Sequence, residues 1–451
     1  MLIGRRLSSL LLMLALVGAP AVVLRVLCVG SSCDASEADA QASVPFCPLP
    51  QGLRREVAAG FREGRSPDVM AATAGLDVVS TQVQRGARVP WPGTEESDGV
   101  SGLPDTRVPI VFLGAGVRPG DLPPGSGLDT IAPTLEEITG FRRAHPEVRT
   151  GAAIDGVAAE GSAAPALVVI IAWKGIGTTN LERDQAAWPF LGRALRTGAG
   201  TLTGTTGSLP LDPAATLTTI GTGGRPSSHG ITGTVVREDD GGVAVAWSAP
   251  GSGSVIATLA DDLDHDSGGR ARVAAIISNP ADRGIVGNGW YLDAADDDTM
   301  MRLDDPGRAA TVARSITTSE ELGSDRVTDV LGIVLDGGVD RVDTATARVV
   351  STVRRLVPHA TFVVTATGTL AGGGQGEDAP GLADDVEAAL GAPVVAEVAA
   401  DGIFLDRDVL VDRSLTGQQV ADSMGALVDD AGRPLFDDVY PSFAVAFSRY
   451  C

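Results

Sequence analysis

The sequence predicts an α/β protein built on a mostly parallel sheet with helices on both faces, and three observations lead there. Continuous apolar runs recur along the chain, at Ala166 to Ala172, Val273 to Ile277, Leu331 to Leu335 and Thr361 to Thr365. Such runs suit strands covered on both sides rather than the alternating pattern of a half-exposed sheet. Between the last two, Val342, Ala345, Val349, Val353 and Leu356 recur on one face of a helix over Asp340 to Leu356, so strand, helix and strand alternate as a parallel sheet requires. The 451 residues, 44% hydrophobic, are enough for a large core.

Taken in order, Arg5-Arg6 precede an apolar run from Leu10 to Leu24 that Pro20 interrupts and Arg25 closes. Fifteen or so apolar residues fall short of the roughly 20 of a spanning helix. Small-residue cleavage patterns follow at Ala38-Asp39-Ala40 and Ala40-Gln41-Ala42. Residues 1–42 therefore read as an export signal or N-terminal anchor with a short spacer, and 43–451 as a single domain. The imperfect context of Cys33 also leaves lipid attachment open. A helix is expected over Gln51 to Phe61, a strand over Arg107 to Gly114, and a helix starting near Asp129. An Ala- and Gly-rich linker, Gly151 to Pro165, leads to the first long apolar strand. A helix then ends near Thr222, with Asp212 as its N-cap and Pro213 at its first position. Further helices are expected over Gly381 to Leu390 and Leu415 to Val428, and no short internal repeat is evident.

A formal net charge of −22 argues against nucleic acid or an anionic membrane surface as a partner, because both need clustered cations. Membrane contact is expected only through the N-terminal segment. After cleavage near Ser43 two cysteines remain, Cys47 and Cys451. In an exported protein two cysteines pair, and domain ends commonly lie close together.

The stretch Leu209 to Gly233, LPLDPAATLTTIGTGGRPSSHGITG, resembles the nucleophile-helix segment of the alkaline phosphatase superfamily, in particular its type I phosphodiesterase and nucleotide pyrophosphatase-like members. The resemblance lies in Thr222-Gly223, Pro226 and His229-Gly230-Ile231. Three further segments resemble parts of that domain that normally come last: Arg65 to Val69, Arg107 to Gly120, and Asp129-Thr130-Ile131-Ala132-Pro133-Thr134-Leu135. They precede the apolar strand that resembles the domain's first. The resemblance therefore implies a circular permutation, with 47–150 the displaced C-terminal part and 165–451 the N-terminal and middle parts. In the unpermuted order Cys451 would run into Cys47, so a disulfide would rejoin the cut.

Active members hold two divalent ions with Asp and His at strand ends. In this chain the first strand ends in Trp173-Lys174-Gly175 where the resemblance implies Asp-Gly, and the later Asp-His-Gly is replaced by Ala366-Thr367-Gly368. Trp91 to Asp105 contains no His, and Leu335 to Arg341 keeps Asp336 and Asp340 without one. His145, His229, His265 and His359 are the four histidines, and none matches a ligand motif. The nucleophile position falls at Asp212 or Pro213, neither a hydroxyl; Thr216 lies a turn further in and Ser208 upstream.

Lys174 is the lone lysine and stands where a metal-binding Asp is implied. It is expected either to pair with Asp336 or Asp340, or, with them, to receive an anionic ligand. The acidic runs at Asp261 to Asp266 and Asp296 to Asp298 read as solvated loops, and Gly372-Gly373-Gly374 lacks the continuation of a phosphate loop. The expectation is an extracytoplasmic, alkaline-phosphatase-like protein with no cofactor, binding an envelope protein or an anionic small molecule. The alternative is a divergent phosphodiesterase or phosphatase that uses Asp212 and Thr216, or Ser208, with zinc or another divalent metal held by Asp212, Asp336 and Asp340.

Overall fold

The structure is a computed structural model that describes residues 46–47, 49–73, 105–249, 251–287, 290–291, 298–369, 381–399, 402–428, 432 and 434–447. Contacts divide the chain into Met1–Val44 and Pro45–Cys451, and every described residue belongs to the second unit. The signal or anchor segment, Cys451, and the glycines at 372–374 lie outside the described residues. Among the described residues no helix is long and apolar enough to cross a membrane.

Among the described residues the strands run in chain order as β1 (Val69–Thr73), β2 (Arg107–Gly114), β3 (Gly120–Asp121), β4 (Leu167–Lys174), β5 (Ala199–Thr205), β6 (Val235–Arg237), β7 (Val243–Val245), β8 (Val273–Ile277), β9 (Thr299–Arg302), β10 (Asp329–Asp336), β11 (Ala360–Ala366), β12 (Val395–Ala399), β13 (Gly402–Leu405) and β14 (Phe436–Pro441). The main sheet has eight of them in the order β3-β5-β2-β11-β4-β10-β8-β9. All its neighbours pair in parallel except β2, which is antiparallel to both β5 and β11. The sheet is thus mostly parallel. Leu167 to Trp173 and all of β8 and β11 are buried at every position, so both sheet faces are covered. Helices at Pro213–Thr222, Ala309–Ser319 and Val339–Leu356 supply part of that cover.

The expected strands and helices occur within one or two residues at most ends, the ordinary fraying of element boundaries. The expected Leu415 to Val428 helix is shorter, Gly417–Gly425, because Thr416 caps it and accepts from Gln419 N–H. A second sheet, order β12-β13-β1-β14, has a small core of its own that includes Val69, Leu382, Val398, Ile403 and Met424. Here the two described ends of the unit meet. Met70 pairs with Tyr440, Phe46 N–H donates to Asp438 Oδ2 at 2.9 Å, and the Phe46 and Tyr440 rings meet edge to face at 5.2 Å.

Candidate functional site

Because β4, β5, β8, β10 and β11 share one direction, their carboxyl ends form one edge of the main sheet, where open α/β sheets bind their ligands. Lys174 closes β4 there, in register with Asp336 at the end of β10. The expected pairing of Lys174 with Asp336 or Asp340 is corrected by the structure. Its Nζ donates instead to Asp282 Oδ1 at 2.9 Å. Asp336 and Asp340 are exposed, whereas Asp282 is only 1% exposed, deep enough to need a cationic partner.

The turn after β8 holds Asp282 in place. Asn279 caps it, accepting from Ala281 N–H, while Asp282 Oδ2 accepts from Asn279 N–H at 3.2 Å. The spacing Asn279-Pro280-Ala281-Asp282 is a capping-box signal that sequence reasoning passed over. It locates a carboxylate at the turn but says nothing of the lysine, 108 positions earlier.

The edge is also laced together beside Lys174. Gly175 N–H donates to Thr367 Oγ1, Thr367 N–H to Trp173 O, and Gly368 N–H to Ile176 O. Leu211 fills the space beyond. A Cβ added at Gly368 would come within 3.2 Å of its side chain and 3.0 Å of Asp105 O.

Asp212 caps the Pro213–Thr222 helix, with Pro213 at its first position. Its Oδ1 accepts from Ala214 N–H at 2.8 Å and Thr234 Oγ1 at 3.1 Å, while Oδ2 is buried with no partner among the described residues. Burial holds the Asp212 carboxyl above the usual carboxylate range. Thr216 Oγ1 donates back to Asp212 O at 3.0 Å within the helix, and Ser208 is buried upstream. Neither hydroxyl sits at the helix start, which Asp212 and Pro213 occupy and where the dipole and open N–H groups would assist attack.

The donor set does not fit the two-metal centre that the resemblance implies. Asp212 is sealed in the core, Asp336 and Asp340 face solvent, and an ammonium already engaged by Asp282 stands at the end of β4. Among the described residues no group of three His, Cys, Asp or Glu side chains could hold a metal ion. The turn after the helix is buried at His229. His229 Nδ1 accepts from Ile231 N–H at 3.1 Å, so Nε2 carries the proton toward Thr219 Oγ1 at 3.0 Å. Burial and the nearby Arg62 push the His229 pKa down to about 3.

The acidic run at Asp261 to Asp266 is not a solvated loop throughout, which corrects that expectation. Asp262 accepts from Arg143 Nε at 2.6 Å, Arg149 Nη2 at 2.9 Å and Tyr291 Oη at 2.6 Å. Both arginines also donate to Thr222 O, so they cap the negative end of the same helix. Asp261 is buried as the third residue of a capping box with Thr258. Of the run at Asp296 to Asp298, Asp298 meets Arg283 at 3.5 Å, and Asp296 and Asp297 lie outside the described residues.

No family model matches the chain, and no curated protein does. Among solved structures, the chain is similar to wild-type alkaline phosphatase PafA at 16% identity and a TM-score of 0.41, over 58% of this chain and 76% of that one. A multiply substituted form of PafA overlaps at 16% identity and a TM-score of 0.43, over 57% and 75% of the two chains. The likeness is partial, and the α/β architecture is defined by the sheet order itself.

Proposed function

We propose that the chain is an exported, alkaline-phosphatase-like protein without two-metal hydrolase activity, acting at the cell envelope by binding an envelope protein or an anionic small molecule. The observation that carries this reading is the Lys174–Asp282 ion pair at the end of β4, where a hydrolase of the implied type needs metal-binding carboxylate. Closure of the neighbouring edge by Thr367 and Leu211 supports it. Export is inferred from Arg5-Arg6, the apolar run that follows and the small-residue cleavage patterns.

We also read the chain as circularly permuted, with 47–150 displaced ahead of 165–451. Support comes from the packing of Phe46 on Tyr440, which brings the severed ends together, and from the disulfide-bonded state of Cys47. Its expected partner is Cys451.

The test is elemental analysis of the secreted protein alongside a chromogenic phosphodiester assay with added zinc and manganese. This reading expects sub-stoichiometric metal and no turnover. One tightly held zinc per chain, with turnover lost on Asp336→Ala, would establish the divergent phosphodiesterase instead.

A further inference from the structure

A cavity of about 470 Å³ opens beyond the carboxyl ends of β3 and β5, lined in part by Ser126, Thr130, Thr150, Asp155 and Arg225. It shares no residue with the Lys174 region. The segment after β3 runs beside β5 to reach it: Gly125 N–H donates to Thr203 O, and Thr205 N–H donates to Ser126 O.

Arg225 is built into the wall. Its Nε donates to Asp129 Oδ2 at 3.0 Å, and Thr150 Oγ1 donates to the same oxygen at 2.8 Å. The Asp129 side chain is 4% exposed, so the arginine is tethered to a buried carboxylate. Its guanidinium lies against Gly207, where an added Cβ would stand 3.1 Å from both Cζ and Nη2, and where φ is +73°. Only a glycine leaves room for the guanidinium there. The two terminal nitrogens meet no acceptor among the described residues and remain available as a bidentate fork for a carboxylate or phosphate.

The hydroxyls around that fork have their protons committed inward. Ser126 Oγ donates to Pro123 O at 2.7 Å, Thr130 Oγ1 to Gly127 O at 2.6 Å, and Thr150 Oγ1 to Asp129. What each still offers is lone pairs, and the Asp155 carboxylate adds acceptors. The wall therefore presents one paired donor and several acceptors, which suits a ligand with one acidic group and neighbouring hydroxyls. The local balance decides which acid. Asp129 is paired with the cavity's one guanidinium, Asp155 lines the same cavity, and Glu56 lies within electrostatic reach of Arg225; a dianionic phosphate would meet more repulsion than a carboxylate.

We propose that this cavity binds a polyhydroxylated monocarboxylate, a sugar acid, with its carboxylate on Arg225 and its hydroxyls donating to Ser126, Thr130 and Asp155. The volume falls within the ~300–1,000 Å³ of small-molecule sites.

The test is calorimetric titration of the full chain with glucuronate, set against acetate, glucose and glucose 6-phosphate. Glucuronate is expected to bind about tenfold or more tighter than any of the three. Arg225→Lys, which keeps the charge but loses the fork, is expected to weaken glucuronate about tenfold. Ala152→Phe, a change at an exposed lining residue, blocks the cavity without touching the Asp129 tether and is expected to abolish binding. Melting curves verify that both variants fold. Glucuronate no tighter than acetate, glucose 6-phosphate tighter than glucuronate, or wild-type affinity in Ala152→Phe overturns the proposal. None of these outcomes bears on whether the Lys174 region hydrolyses phosphate esters.

Discussion

Lys174 reaches Asp282, on the turn after a different strand, and leaves Asp336, its register partner on the adjacent strand, facing solvent. Depth explains the choice. Asp282 is 1% exposed and an unpaired carboxylate there is costly, while Asp336 is hydrated. Lys174→Met is expected to destabilise the fold by about 3 kcal/mol, because it strands a buried charge. Adding Asp282→Asn, which keeps the turn's cap, is expected to recover much of that loss. Urea unfolding of the two single variants and the double gives the coupling; strict additivity would show that the pair is not the constraint at this edge.

Asp212 is expected to matter as a cap and not as an acid. Asp212→Ala removes the acceptor for Ala214 N–H and Thr234 and is expected to cost about 1–2 kcal/mol. Asp212→Asn keeps that acceptor and removes a buried carboxylate whose second oxygen meets no partner among the described residues, so it is expected to cost less. Because burial raises the folded pKa, ionised Asp212 works against folding at neutral pH. Wild type should therefore gain on Asp212→Asn as pH falls through the folded pKa toward 3.8. Denaturant midpoints across pH read this directly, and a gain that moved the other way would contradict it.

His229 carries the opposite sign. Its folded pKa of about 3 lies below the ordinary 6.5, so the unfolded chain binds the extra proton between those values. The stability that neutral His229 contributes is fully present above pH 6.5 and is lost as pH falls toward 3, at up to about 1.4 kcal/mol per pH unit. His229→Asn retains an acceptor for Ile231 N–H and does not titrate. The stability difference between wild type and this variant should narrow below pH 6.5; a difference independent of pH would mean that the imidazole titrates normally.

Non-reducing mass spectrometry of the purified full chain is expected to find a Cys47–Cys451 peptide. Reduction should lower stability by about 2–5 kcal/mol, since the bridge closes a very long loop. Two free thiols, or Cys47 joined elsewhere, would undo the proposed rejoining of the permuted ends.

Arg143→Ala is expected to cost about 3–5 kcal/mol. The side chain is buried, pairs with Asp262 and donates to Thr222 O and Ala257 O, so its loss strands a buried carboxylate and uncaps a helix. Thermal melting of the variant checks this, and a loss below about 1 kcal/mol would leave Arg149 as sufficient partner.

The main sheet was legible along the chain because strands covered on both faces must be apolar throughout, and Leu167 to Trp173, Val273–Ile277 and Ala360–Ala366 meet that demand locally. The cap at Asp212-Pro213 was legible for the same reason: its physics lies within a few adjacent residues. The second sheet was not, since Val69 finds Ile403 and Pro441 only after folding and its strands are too short to show a period. Residue identities alone set Lys174 at the end of β4 and Ala366 at the end of β11, and left Leu335 to Arg341 without a histidine. Which carboxylate Lys174 would meet, that Asp262 is buried between two arginines, and that Arg225 faces a cavity on a buried Asp129 were decided by tertiary structure. Charge pairing depends on depth and distance across elements, and neither quantity is written in the order of the residues.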